Sequence, residues 1–130
     1  PYSSHNVVVF TNSDHPFYVR DSISIHELKD QKVVRREMGS TTRVAIERAL
    51  QEHNVWIDVV LEIGSREGIW KSVEQGLGIG FVADFEFVPH PNLRAIPIHD
   101  AVISTQYFLA YLKERQSSRL IRAFCEVSQT

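Results

Sequence analysis

The sequence predicts an α/β domain with a mostly parallel sheet. Two observations carry that expectation. Short β-branched and aromatic runs alternate with helical patterns of about 10–14 residues, the order that right-handed crossover units require. At two places, 37–43 and 62–67, a strand pattern passes through glycine and hydroxyl residues straight into a helical pattern.

The elements follow in chain order. The run Val7-Val8-Val9-Phe10, ended by Thr11-Asn12-Ser13-Asp14, reads as a buried strand and its turn. Ser24-Ile25-His26-Glu27 is a capping box, in which serine and glutamate satisfy each other's backbone N–H groups, and Ile23 and Leu28 stand where a hydrophobic staple belongs. A helix of one or two turns over about 25–30 follows from it. Residues 31–37 centre on Val33-Val34 and read as a strand. Gly39-Ser40-Thr41-Thr42 then supplies flexible backbone and a capping hydroxyl. Val44, Ala45, Ala49 and Leu50 recur at helical spacing, with Arg43, Glu47, Arg48 and Glu52 on the wet side, so a helix is expected over about 41–53.

Ile57, Val59, Leu61 and Ile63 alternate with Trp56, Asp58, Val60 and Glu62, the period of a strand with one face more buried than the other. Gly64-Ser65 ends it and caps a helix carried to about Gln75 by Ile69, Trp70, Val73 and Leu77. Short strands are expected at 79–83, 93–98 and 105–112, and a last helix, capped by Ser117, on Leu120, Ile121, Phe124 and Val127. For Trp56, Trp70, Phe108 and Phe124 the period favours packing over ligand contact.

Composition excludes several classes. With 43% apolar and 23% charged residues the 130-residue chain has ordinary globular balance, which removes disorder, collagen and coiled coil. No run reaches the roughly 20 apolar residues of a membrane helix. A single cysteine, Cys125, allows neither an internal disulfide nor a thiolate zinc cluster and suits a reducing cytoplasm. A net charge of −2 argues against a nucleic-acid surface on this chain. The chain opens on Pro1 rather than methionine and enters a strand almost at once, so it is expected to be cut from something longer.

Catalytic and cofactor motifs are absent. Gly76-Leu77-Gly78-Ile79-Gly80 has a helix before it and a strand after it, the reverse of a dinucleotide-binding loop, so it reads as a helix stop and a strand entry. None of the six histidines is paired at i, i+4 or placed near the cysteine, and no nucleophile elbow occurs, so no metal, cofactor or enzyme activity is expected. The junction Glu37-Met38-Gly39-Ser40-Thr41-Thr42-Arg43 is more informative. A helix start offers free N–H groups and the positive end of a dipole, together an anion site, with a plain Ser/Thr cap as the equally weighted alternative. Arg43 in the first turn opposes the dipole, which suggests a purpose other than helix stability. Ser65, at the equivalent junction one unit later, is placed to line the same crevice.

Asp14-His15-Pro16, the run 23–28, the run 37–43, and Gly64-Ser65 leading to Val73-Glu74-Gln75-Gly76-Leu77-Gly78-Ile79-Gly80 together resemble, in order and spacing, the effector-binding domain of LysR-type transcriptional regulators. The resemblance runs from about residue 7 to the end. It implies the type II periplasmic-binding-protein fold, Rossmann-like, with two lobes, a cleft and two hinge strands. Residues 14–100 would be the whole second lobe, and 1–13 with 101–130 a remnant of the first. It also implies a cleft wall of Gly39, Ser40, Thr42, Arg43, Gly64, Ser65 and Phe81 around a small anionic effector. DNA would be met by an N-terminal helix-turn-helix outside this chain, in a cytoplasmic homodimer or homotetramer. The stretch 83–97 further resembles regulators of aminophosphonate use. A periplasmic solute-binding protein of a transporter shares the fold and is the chief rival; a small α/β enzyme is the second.

Overall fold

The computed structural model describes residues 4–106, so the expected helix after Ser117, Phe108, Phe124 and most of the 105–112 strand lie outside the described residues. The strands are β1 (Ser4–Asn12), β2 (Lys32–Arg36), β3 (Asp58–Ile63), β4 (Gly80–Ala83), β5 (Leu93–Ile96) and β6 (Ser104–Gln106). The α-helices are α1 (Thr41–Glu52) and α2 (Arg66–Glu74), and short 3-10 turns occupy Pro16–Val19, Ile25–Leu28 and Asp84–Glu86.

The run at 7–10 lies within β1, which is buried on both faces. Val7 and Val9 pack into one core cluster and Val8 and Phe10 into the other, because successive side chains leave a strand on opposite sides. Val33 and Val34 of β2 divide the same way. On the first face Ile46, Ala49 and Leu50 of α1 cover Val33, Val9, Leu28 and Ile79; on the second, Ile69 and Val73 of α2 cover Val34, Phe10 and Val82. Each enclosed aliphatic side chain contributes about 1.5–3 kcal/mol relative to exposure, so the two helix faces and β1 hold the lobe together.

Strand direction is more mixed than expected. β2 and β3 are parallel, with Arg36 opposite Ile63 at their ends, and Ile79 bridges in parallel to Val33 just before β4. β1, however, lies between β4 and β5 and runs antiparallel to both, and antiparallel also to β6, which pairs with its first residues. The segment between β1 and β2 holds only 3-10 turns. No packed crossover helix returns the chain, so the direction rule for crossover units does not bind β1.

Three burial expectations also fail. Leu61 of β3 is 39% exposed, because the pairing shifts register between Val33 and Val34, leaving Val60 without an opposite number and breaking the alternation; Val60 itself is exposed, as its place on the wetter face requires. Trp56 is 71% exposed in the loop before β3. Val44 and Leu77 are also exposed; Ile46, two residues after Val44 and so on the other side of α1, faces the core instead. Trp70 does pack: its ring lies 4.4 Å from that of Phe10 and 5.8 Å from that of Phe87.

The capping box is present, with Ser24 accepting from the His26 N–H and Glu27 accepting from the Ser24 N–H. Asp100 adds a long-range tie by accepting from Ser24 Oγ at 2.6 Å and from the Ile25 N–H at 2.8 Å. Those two donors, the hydroxyl foremost, hold the Asp100 carboxyl below its ordinary range. Arg20 does the same for Glu27, helped by the Ser24 N–H. Gly76, at φ +82°, stops α2, and Gly80 leaves room for the Phe10 ring, as a structural reading of the glycine run requires.

Two stability predictions follow from these contacts. A Cβ at Gly80 would stand 2.6 Å from the enclosed Phe10 ring, so Gly80→Ala should cost about 1–3 kcal/mol by overpacking, read as a lower urea midpoint. Asp100 and Glu27 have depressed folded values, so their contribution is present above the unfolded carboxylate range and disappears as pH falls below about 5. Thermal melts across pH 3–7 should show a shallower acid loss for Asp100→Asn than for the parent.

Candidate functional site

Both α-helices begin at one end of the sheet. β2 and β3 finish side by side, and α1 and α2 start five and three residues beyond those last strand residues, so two helix N-termini face the same edge. Because α1 and α2 lie on opposite faces, the strand order reverses at β2, and a crevice opens where β2 and β4 end. That is the place where open α/β sheets collect ligands.

Each helix is capped by serine. Ser40 Oγ accepts from the Arg43 N–H at 3.3 Å, and Ser65 Oγ accepts from the Gly68 N–H at 3.0 Å. The N–H groups of the first two residues in each helix have no acceptor within their own helix and point out of its end. Gly39, at φ +96°, makes the turn that leads into α1. Gly64 and Ser65 are exposed at the end of β3. Thr42, only 9% exposed, and Phe81 line two adjoining depressions, and Arg36 at the tip of β2 lines both as well. The depression toward α2 adds Arg66, Trp70 and Glu86; the one toward α1 adds Val34, Arg43 and Glu47.

Of the seven residues expected at the site, Thr42, Arg43 and Phe81 line these depressions, whereas Gly39, Ser40, Gly64 and Ser65 stand at the two helix starts and line neither. Arg43 is spoken for by the lobe itself. Its Nε donates to Glu47 at 3.1 Å, its Nη1 donates to the Arg36 carbonyl at 3.0 Å, and Glu62 stands 3.4 Å away. Arg35 joins the same carboxylates, donating to Glu47 at 2.9 Å and to Glu62 at 3.0 Å. Hydrogen bonding from Arg35, with the nearby Arg43 charge, holds the Glu62 carboxyl below its ordinary range. The unfavourable place of Arg43 on the helix dipole thus has a structural cause: it ties α1 to the ends of β2 and β3.

Sequence reasoning missed Arg36 and Arg66. Arg66 shows the signal that singled out Arg43, a cation in the first turn of a capped helix. Arg36 was hidden inside a strand pattern. Among the described residues a concavity of about 330 Å³ around Asn12, His15 and Gly76 lies at the opposite end, where β1 finishes. Most of its polar side chains are engaged: Asn12 donates to the Glu74 carbonyl and accepts from the Asp14 N–H, while His15 pairs with Gln31 and accepts from the Phe17 N–H; the buried Thr11 hydroxyl has no hydrogen-bond partner. Among the described residues no group of three or more metal-ligating side chains occurs.

A family model described as the LysR substrate binding domain matches residues 1–130. The chain belongs to that family. Relatives of the LysR substrate-binding domain include the HTH-type transcriptional activator CmpR of Synechocystis sp., 28% identical over 124 residues, which cover 92% of this chain and 40% of that protein. CbbR of Xanthobacter flavus, an HTH-type transcriptional regulator, is 36% identical over 117 residues, covering 86% of this chain and 35% of that protein. The chain thus spans about two fifths of the length of these relatives. The regulatory domain of Synechocystis CcmR, solved in complex with 2-PG, superposes with a TM-score of 0.70 at 28% identity, over 82% of this chain and 54% of that one. The effector-binding domain of QuiR with shikimate superposes with a TM-score of 0.73 at 19% identity, over 82% and 51%. These neighbours establish the type II periplasmic-binding-like α/β fold. The relatives are transcriptional regulators and not enzymes, and their names give the aminophosphonate likeness no support.

The Arg43 contacts predict a stability effect. Arg43→Ala should lower stability by about 1–2 kcal/mol, since it removes charge-assisted hydrogen bonds and leaves the Arg36 carbonyl without this donor. Urea denaturation in low and high salt checks it; a midpoint unmoved in both would mean that the network contributes nothing.

Proposed function

We propose that this chain is the effector-sensing part of a LysR-type transcriptional regulator, and that it takes a small anion in the crevice at the ends of β2, β3 and β4. The convergence of two capped helix starts with Arg36 and Thr42 at one edge carries the reading. Free N–H groups and the positive ends of two dipoles favour an anion there, and Phe81 and Trp70 supply apolar walls that exclude water. The likeness to CcmR with 2-PG and to QuiR with shikimate supports the choice of a small acidic metabolite.

In this reading residues 14–100, built around the buried part of β1, form one lobe of a two-lobed sensor, with β1 and β6 running on as the hinge strands. The other lobe closes over the crevice and alters how subunits pair, as a homodimer or homotetramer, and thereby how a separate helix-turn-helix grips DNA. Among the described residues no helix is long and apolar enough to cross a membrane. A cytoplasmic regulator is favoured over a transporter's solute-binding protein because the relatives are transcription factors.

The test is isothermal titration of the intact regulator with inorganic phosphate, malonate, 2-PG and shikimate. Replacing a side chain that hydrogen-bonds an anion costs about 1.5–3 kcal/mol, so Thr42→Val and Arg36→Gln should each weaken the bound anion by roughly 10- to 100-fold. Binding of no anion, or parental affinity in both variants, would remove the anion site from this crevice.

A further inference from the structure

Among the described residues four arginines surround the crevice, and each already has a carboxylate: Arg35 and Arg43 share Glu47 and Glu62, Arg36 meets Glu37, and Arg66 meets Glu86. The formal charges cancel, so an anion that draws on one of these guanidinium groups as well as on the helix starts competes with an internal counter-ion. The four are not equally exchangeable. Arg43 is 11% exposed and has three acceptor groups around it. Arg35 is doubly bridged by well-formed hydrogen bonds. Arg36 is paired to its own neighbour in sequence at 3.2 Å, an arrangement that travels with the backbone.

Arg66 differs in every respect. Its side chain is 51% exposed, and Glu86 reaches it from the turn after β4 at 3.5 Å, longer than a good charge-assisted hydrogen bond. Its guanidinium carbon lies 5.9 Å from the centre of the Trp70 ring, and Trp70 is held by Phe10 and Phe87. The ring orients the cation without consuming its N–H donors, because a cation over a π face keeps its edge free.

We infer that Glu86 is a built-in competitor for the anion: it occupies Arg66 in the empty crevice and sets how acidic a ligand must be to replace it. The inference rests on the anion-sensing reading above. A ligand bearing two negative charges on one end gains Arg66 and the helix starts together, whereas an uncharged ligand has nothing to offer in exchange for Glu86. Glu86 is thus a specificity-determining residue that acts through Arg66, and Trp70 is the rigid platform on which the exchange takes place.

The experiment titrates the intact regulator and its Glu86→Gln, Glu86→Asp and Arg66→Gln variants with inorganic phosphate and malonate at two sodium chloride concentrations. Glu86→Gln should bind the anion about 3- to 10-fold more tightly, with a steeper loss at high salt because one more uncompensated cation is present. Glu86→Asp, which keeps the charge but is one methylene shorter, should fall between the parent and Glu86→Gln, and Arg66→Gln should bind at least 5-fold more weakly. A parent that binds neither anion counts against the anion reading itself and takes this inference with it. A parent that binds, with Glu86→Gln equal or weaker, overturns the competitor role alone. Melting curves of each variant separate these outcomes from unfolding: Glu86→Gln binding less tightly while melting as the parent does still overturns it.

Discussion

The lobe depends on the burial of β1. One strand, inserted against the direction of its neighbours, supplies Val7 and Val9 to one core and Val8 and Phe10 to the other. Both helices would lose their packing surface without it, since α1 rests on the first of those cores and α2 on the second. Its first residues also pair with β6, so the strand that organises the core is continuous with the pairing that leaves it. Any movement at the β1–β6 end is therefore transmitted through a rigid, two-sided element rather than through a loop.

The site end of the lobe is built from a different kind of force. Arg35, Arg43, Glu47 and Glu62 cross-link α1 to the last residues of β2 and β3, so the start of α1 is held against the strand ends. Hydrophobic contact alone would leave that edge free to rock, because the strand tips carry little apolar side chain. The geometry an anion meets is thus kept in place by ion pairs at the rim and by packing beneath it. Surface ion pairs are individually weak, and the four act usefully because they share partners.

Much of this was legible in the residues. The capping hydroxyls Ser24, Ser40 and Ser65 marked three helix starts correctly, because a local hydrogen bond needs only local sequence. The direction of β1 was not legible: pairing partners far along the chain decide it, and nothing in Val7-Val8-Val9-Phe10 encodes which way they run. Trp56 and Leu61 were misread for a related reason. Period-two alternation predicts sides, but whether a side is covered depends on what packs there, and β3 has β2 on only one of its edges. At the site, Ser40, Thr42 and Ser65 came from the junction pattern, whereas the division of labour between Arg43 and Arg66 rests on contacts made across 19 or more residues of sequence.

The register shift beside Val60 has a consequence for length. Val33 pairs with Val59 but Val34 pairs with Leu61, so β3 spends one residue more than β2 over the same span. A strand rises about 3.3 Å per residue, so the bulge at Val60 absorbs about that much chain while Ile63 still stands level with Arg36. Loss of Val60 would leave the same pairs in a regular ladder and remove the local bend and extra twist that a bulge imposes. A single-residue insertion in an exposed strand thereby aims the start of α2, and changing it would re-angle the crevice without altering any residue that lines it.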